Sequence, residues 1–379
     1  MKLHCEKNLL LDALNLVGRT VSNRTTLPIL ECVLFTAKEG EGITLTANDM
    51  EMCIVTTPFA ADIEVSGSVA LNAKLFTDIM RKMPGDYVQI DTDDKLITRC
   101  KSGQAKLEIS GMPADEFPVV SDEELEGTFN KDAAYKLNSA ILKDMIKQTI
   151  FSVSLDPSKA ILTGELLEIT EGSLRVVAVD MFRISYRSAL LHGEAKDSSA
   201  VVPAKALNEL SRVISGDTND IISFYFTDKR AFFITDGFTM SARLLEGEFI
   251  RYNQIFNQDF TTMMAINRVA LLSSLERSIL VAMENRQISI TLDIKDDLLV
   301  ITSKSEKGQT YDEIPCETDG TDMTIYFNPR YLLDALRAID EESVALRFNT
   351  PRSPCTIMSL SEEGVTQYKY LIVPLRGPA

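Results

Sequence analysis

One pattern returns three times along this chain at intervals of about 130 residues, and a fixed interval of that kind dictates a repeated supersecondary unit. A helix-like run of apolar residues occurs at Leu10, Ala13, Leu14, Val17 and Val21. It recurs at Leu142, Met145, Ile146 and Ile150, and again at Leu271, Leu272, Leu275 and Ile279. A second helical run follows each of these, from Asn72, from Pro203 and from Asn328. Within it Lys74, Lys205 and Arg330 correspond, 131 and 125 positions apart. Pro203 and Pro329 suit a first helical turn, where a missing N–H costs little. Between the two helices lies alternating strand sequence: Ile43 to Asp49, Leu174 to Asp180 and Leu298 to Lys304. After the second helix come Val88 to Ile90, Ile222 to Phe226 and Val344 to Phe348. The expected fold is α+β, with three tandem similar domains, each of two helices and antiparallel sheet. Expected boundaries are 1–126, 127–253 and 254–379, with linkers at 115–130 and 246–261.

Few function classes survive the composition. Of 379 residues, 45% are apolar and 25% charged, an ordinary globular balance. No stretch approaches the ~18–20 apolar residues that span a bilayer, and the start, Met1 to Asn8, is too polar for a signal peptide. A soluble cytoplasmic protein without membrane association is expected. The six cysteines, at 5, 32, 53, 100, 316 and 355, include no CxxC pair and read as reduced apolar residues. With only His4 and His192, a zinc site or a histidine-based triad is not expected. Phosphate-loop, dinucleotide-loop and GxSxG signatures are missing. No cofactor, metal or catalytic residue is expected.

Charge is unevenly spread. The chain carries 39 Lys and Arg against 55 Asp and Glu, a net of −16. The six helical windows hold twelve basic and six acidic residues, so they carry +6 and the remainder −22. Solvated helix faces account for this as readily as one shared positive surface. Such a surface attracts phosphate backbones without reading sequence. The C-terminal run Tyr370 to Arg376 is apolar almost to its end, whereas tails are usually polar and frayed. It reads as a final core strand, or as one whose last residues line a groove for an apolar peptide, and the two readings are compatible.

Several short motifs, in this order and spacing, resemble those of the bacterial DNA sliding clamps, the beta subunits of the replicative DNA polymerase III. They are Thr26 to Leu30, Leu45 to Met52, Asp115 to Pro118, Val177 to Asp180 followed by Arg183, Val201 to Lys205, and Tyr370 to Arg376. The resemblance covers the whole chain. It implies a non-catalytic processivity factor: a head-to-tail homodimer closing into a six-domain ring that encircles duplex DNA without reading sequence. Helices would line the hole and sheets the outside. Implied partners are the replicative polymerase, the clamp loader and other proteins with a clamp-binding motif.

The resemblance also implies site residues. The peptide groove would comprise Lys159, Leu162, Val179, Met181, Phe182, Arg183, Ile184, Pro203, Leu207, Val373, Pro374, Leu375 and Arg376. Met181-Phe182 stands where the family commonly has Gly-His. Duplex-facing candidates are Arg24, Arg81, Lys82, Lys205 and Arg212. The dimer interface would bring Lys106, Leu107 and Ile109 of one chain against Ile279 and Leu280 of the other, with Asp312 and Glu313 facing basic residues and Lys74 in the same group. Two other readings stay open: a monomeric peptide-binding scaffold, which self-association would exclude, and an enzyme of repeated units. The enzyme would need convergent titratable groups, and the sequence offers none that can be named.

Overall fold

The computed structural model describes residues 1–21, 25–120, 134–256, 259–283, 288–361 and 366–376. Six helices recur as three pairs among them. They are α1 (Lys7–Val17), α2 (Ala73–Lys82), α3 (Ser139–Lys147), α4 (Ala204–Val213), α5 (Arg268–Ala282) and α6 (Pro329–Arg337). Five of the six follow directly on a strand, and α6 follows one after Asn328. Asparagine caps recur: the side chains of Asn72, Asn267 and Asn328 accept from the backbone N–H groups of Leu75, Ala270 and Arg330. Each satisfies a donor that the first helical turn leaves free.

The inward helix faces follow the apolar spacing. Leu10, Ala13, Leu14 and Val17 are buried on α1, Leu142, Met145 and Ile146 on α3, and Leu271 and Leu275 on α5. Leu272 and Ile279 are only partly buried against the same core.

All strand pairing is antiparallel, and the described residues form two compact units. The first holds the chain up to Asn138 with Arg212–Ser215 and Asn219–Leu244; the second holds the rest. In the first unit, one sheet runs Asp62–Val65, Lys2–Glu6, Tyr87–Thr92, Ile97–Ser102, Ala105–Ser110. Its other sheet joins strands of two repeats, because Phe238–Arg243 of the middle repeat pairs with Met52–Thr56 of the first. In the second unit, a twelve-stranded sheet is continuous in the same way: Arg183–Leu190 pairs with Thr366–Ile372. The strand Gly308–Gly320 serves two neighbours in turn. Its first half pairs with Leu298–Ser305 and its second half with Thr262–Asn267.

The segment expected as a linker at 246–261 is instead packed. Its apolar residues Phe249, Ile250, Tyr252, Ile255 and Phe256 cover a core of Leu162, Val179, Ile184 and Leu371. Leaving them in water would forfeit ~25 cal/mol per Å² of apolar area. In the other linker, Phe117 is buried against Cys32, Leu34 and Ala70, and residues 121–130 lie outside the described residues.

Candidate functional site

The groove residues belong to the second unit. Asp180 opens the tight turn that carries Met181 and Phe182. Its carboxylate accepts from the N–H groups of Phe182 (2.7 Å) and Arg183 (3.0 Å), while its own N–H donates to Arg183 O. Asp49 builds the same turn in the first repeat, accepting from Glu51 and Met52. A short aspartate stabilises a turn in this way because its side chain reaches the backbone two and three residues on.

The turn leaves Met181 and Phe182 exposed, and Lys159 Nζ donates to Met181 Sδ. Phe182 stacks on Tyr331 of α6, with ring centroids 5.7 Å apart and planes 15° from parallel. Beneath them Arg183 is tied three ways: Nε to Asp180 Oδ2 at 3.0 Å, Nη1 to Asp334 Oδ2 at 2.6 Å and Nη2 to Phe151 O at 2.5 Å. Its guanidinium lies 4.8 Å from the Tyr331 ring centroid and 5.3 Å from that of Phe151. Arg183 is therefore committed to contacts within its own chain.

Leu162, Val179, Ile184 and Val373 gather in one apolar cluster. Leu207 does not line it, being fully buried on the inward face of α4 with Ala206 and Leu210. The C-terminal residues are pinned beside the turn: Val373 N–H donates to Phe182 O at 2.8 Å and Leu375 N–H to Tyr326 O at 2.7 Å. Pro374 has no N–H to pair, and Arg376 is exposed. Tyr331, Asp334, Phe151 and Tyr326 escaped the sequence reading because each lies far from the motif in the chain. The one signal was Tyr331 beside Arg330 in the repeated helix start.

The duplex-facing candidates are surface residues of helices. Arg81 and Lys82 lie in the last turn of α2, where cations suit the helix dipole. Lys205 and Arg212 are exposed on α4. Arg24 lies outside the described residues. A cleft of about 350 Å³ runs between α1 and α2, lined by Asn15, Arg19, Lys74, Thr77, Asp78 and Arg81 among others. Lys74, grouped with the interface from sequence, thus stands with Arg81. In the second unit Asp156 caps the turn at Pro157 by accepting from Ser158, which holds its carboxyl below the usual range.

The interface candidates mark two strand edges. Ala105–Ser110 is the last strand of its sheet and pairs only with Ile97–Ser102 among the described residues. Residues 308–315 likewise pair on one side only. Lys106 and Leu107 are exposed on the first edge, while Ile109 turns into its own core. Beside the second edge Leu280 of α5 is 69% exposed, although Ile279 packs inward. Asp312, expected to face basic residues of another chain, is held by Arg277 of its own at 2.7 and 3.2 Å. That contact keeps its carboxyl below the usual range. Glu313 accepts from the Tyr311 hydroxyl.

No group of three metal-ligating side chains occurs among the described residues, and no described helix is long and apolar enough to cross a membrane. All six cysteines are free, and burial pushes the Cys5, Cys53 and Cys100 thiols up to about 12. Such thiols are inert.

The family of the DNA polymerase III beta subunit matches in three parts: its N-terminal domain over residues 1–121, its central domain over 136–250 and its C-terminal domain over 253–376. The beta sliding clamp of Staphylococcus epidermidis is 31% identical over 385 residues, covering 99% of both chains, and that of Staphylococcus aureus is likewise 31% identical. Among solved structures, a putative DNA polymerase III beta subunit from Eubacterium rectale is 37% identical with a TM-score of 0.92, covering 100% of both chains. The DNA polymerase sliding clamp from Bacillus subtilis is 28% identical with a TM-score of 0.93, also covering 100% of both.

Proposed function

The chain belongs to the DNA polymerase III beta-subunit family, the sliding clamps, and on that premise we propose how its surfaces divide the work of a processivity clamp. Two copies join head to tail into a ring of six domains, divided in each chain at 1–126, 127–253 and 254–379. The ring holds duplex DNA by enclosure, so weak contacts to phosphate suffice and sliding is preserved. It has no chemistry of its own to perform.

The observation that carries the ring is the pair of open strand edges, Ala105–Ser110 and residues 308–315. An exposed edge invites pairing with another chain. Two different edges joined head to tail make a heterologous contact, which closes when the rotation allows. Leu107 and Leu280 supply exposed apolar area next to them.

The groove of Leu162, Val179, Ile184 and Val373, walled by Phe182 and Tyr331, takes short peptides from the polymerase, the clamp loader and other partners. Apolar anchors fill it, and the exposed Met181 and Phe182 tune which anchors are preferred. Negative-stain electron microscopy of the purified protein at micromolar concentration tests the ring. Closed rings of six similar lobes are expected. Three-lobed crescents that persist after cross-linking at higher concentration would favour the monomeric scaffold instead.

A further inference from the structure

Three neighbouring strands of the third repeat carry a row of side chains on one sheet face. Arg347, Thr356 and Leu371 stand opposite one another across Ser343–Phe348, Cys355–Met358 and Thr366–Ile372, and Met358 stands opposite Lys369 one row on. Successive side chains of a strand point to opposite faces, and the alternate residues Leu346, Ile357 and Tyr370 belong to the core beneath α5 and α6. Ile255, Phe256, Asp259 and Phe260 flank the row and close it into a pocket of about 60 Å³. Small-molecule sites start at ~300 Å³, so this pocket suits the end of a single side chain.

Its donors are unused. The Arg347 guanidinium lies 4.6 Å from the Phe260 ring centroid, a stacking that orients its plane, and its Nε is buried without a hydrogen-bond partner. Arg347 and Lys369 have no ion pair among the described residues, and the side chains of Thr356 and Asn349 in the same lining have no hydrogen bond. A buried donor without an acceptor is costly, more so on a charged group. The acceptor that fits an arginine fork in so small a space is a carboxylate. Asp259 is exposed at the rim, and it opposes a doubly charged phosphate more than a singly charged carboxylate.

The pocket is also continuous with the apolar groove. Leu371 belongs to the cluster of Leu162, Val179 and Ile184, Ile255 and Phe256 pack against that cluster, and all three line the pocket. We propose that the pocket takes the carboxylate of an acidic side chain next to the apolar anchors of the peptide in the groove, with Arg347 and Lys369 as its cations. The inference rests on the groove reading and adds a charged subsite to it. A chain of net charge −16 opposes acidic segments in general. Two unpaired cations at one place then fix the register of an acidic partner more than they add raw affinity.

The test uses full-length protein and fluorescence polarisation with three labelled versions of one clamp-binding peptide. They carry two glutamates before the apolar anchors, two glutamates after them, or two glutamines at both places. One glutamate version should bind about three- to tenfold tighter than the glutamine version. Lys369→Gln and Arg347→Gln should each remove most of that difference. Both should leave the affinity of the glutamine peptide unchanged, which also shows that the variants are folded. Lys295→Gln makes the same change of net charge at an exposed residue outside the pocket and should keep the difference. Equal affinity of all three peptides for the unaltered protein would overturn the proposal and leave the groove reading intact. So would a difference that survives both pocket variants, or one that Lys295→Gln removes equally well. If none of the three peptides bound, the groove reading itself would fall, and the charged subsite with it.

Discussion

Arg183 and Asp334 stand 151 residues apart in the chain and 2.6 Å apart in space. That contact ties the turn bearing Met181 and Phe182 to α6, which bears Tyr331. The arginine side chain is only 12% exposed, so its loss strands Asp180 Oδ2, Asp334 Oδ2 and the Phe151 carbonyl without the donor it supplies. Arg183→Ala should destabilise the protein by about 3 kcal/mol, measured by urea unfolding. Arg183→Lys should recover only part of this, because an ammonium cannot fork to three acceptors lying in different directions.

The repeat was legible because local signals agreed. Asn72, Asn267 and Asn328 mark helix starts, and Leu10, Leu14 and Val17 mark an inward face that any packing would bury. The union of the repeats into shared sheets was not legible. Whether Phe238–Arg243 pairs with its own domain or with Met52–Thr56 depends on edges far away in sequence. The candidate groove was drawn from the motif resemblance, and the stacking of Phe182 on Tyr331 was not legible, since nothing near Phe182 announces it. Leu207 and Ile109, read as site residues, are buried for a simpler reason. A residue beside a site in sequence can face the other way on its helix or strand.

Glu165 is fully buried, and its Oε2 has no hydrogen-bond partner among the described residues. Its Oε1 lies 2.6 Å from Thr149 Oγ1, which also lies 2.7 Å from Met145 O. Burial raises its pKa from 4.5 to about 8 and outweighs the hydrogen bond that Thr149 Oγ1 donates to Oε1, which favours the ionised carboxylate. A raised acid favours folding while protonated, so stability is full below pH 4.5 and declines as pH rises toward 8. The loss should reach about 4 kcal/mol by pH 8. Glu165→Gln should remove this decline in denaturant unfolding followed at pH 5, 6.5 and 8; a decline of equal size in the variant would assign it to other groups.

Truncation after Ile372 removes Val373 from the apolar cluster and frees Phe182 O and Tyr326 O from their partners. Loss of about 100 Å² of apolar contact at ~25 cal/mol per Å² weakens a peptide by about 2–3 kcal/mol, roughly 30- to 150-fold. Fluorescence polarisation with a clamp-binding peptide should show that loss, while sedimentation shows the dimer retained. Tyr331→Ala should weaken the same peptide less, because it removes the wall and leaves the floor. Unchanged affinity in the truncated protein would move the peptide site elsewhere.

Leu280 contributes little to its own fold, since most of its side chain lies in solvent. Leu280→Asp should therefore leave the thermal midpoint of the monomer nearly unchanged. If Leu280 packs against Leu107 of a second copy, the same substitution places a charge in an apolar contact and weakens the dimer by at least about 2 kcal/mol, or roughly thirtyfold. Leu107→Asp should do the same from the other edge. The two changes together should cost less than their sum, because residues in contact are coupled and the first charge already breaks the contact that the second would break. Analytical ultracentrifugation of the single and double variants gives all of these values. Full additivity would show that the two leucines do not meet, and an unaltered dimer in both would place the ring contact away from these strand edges.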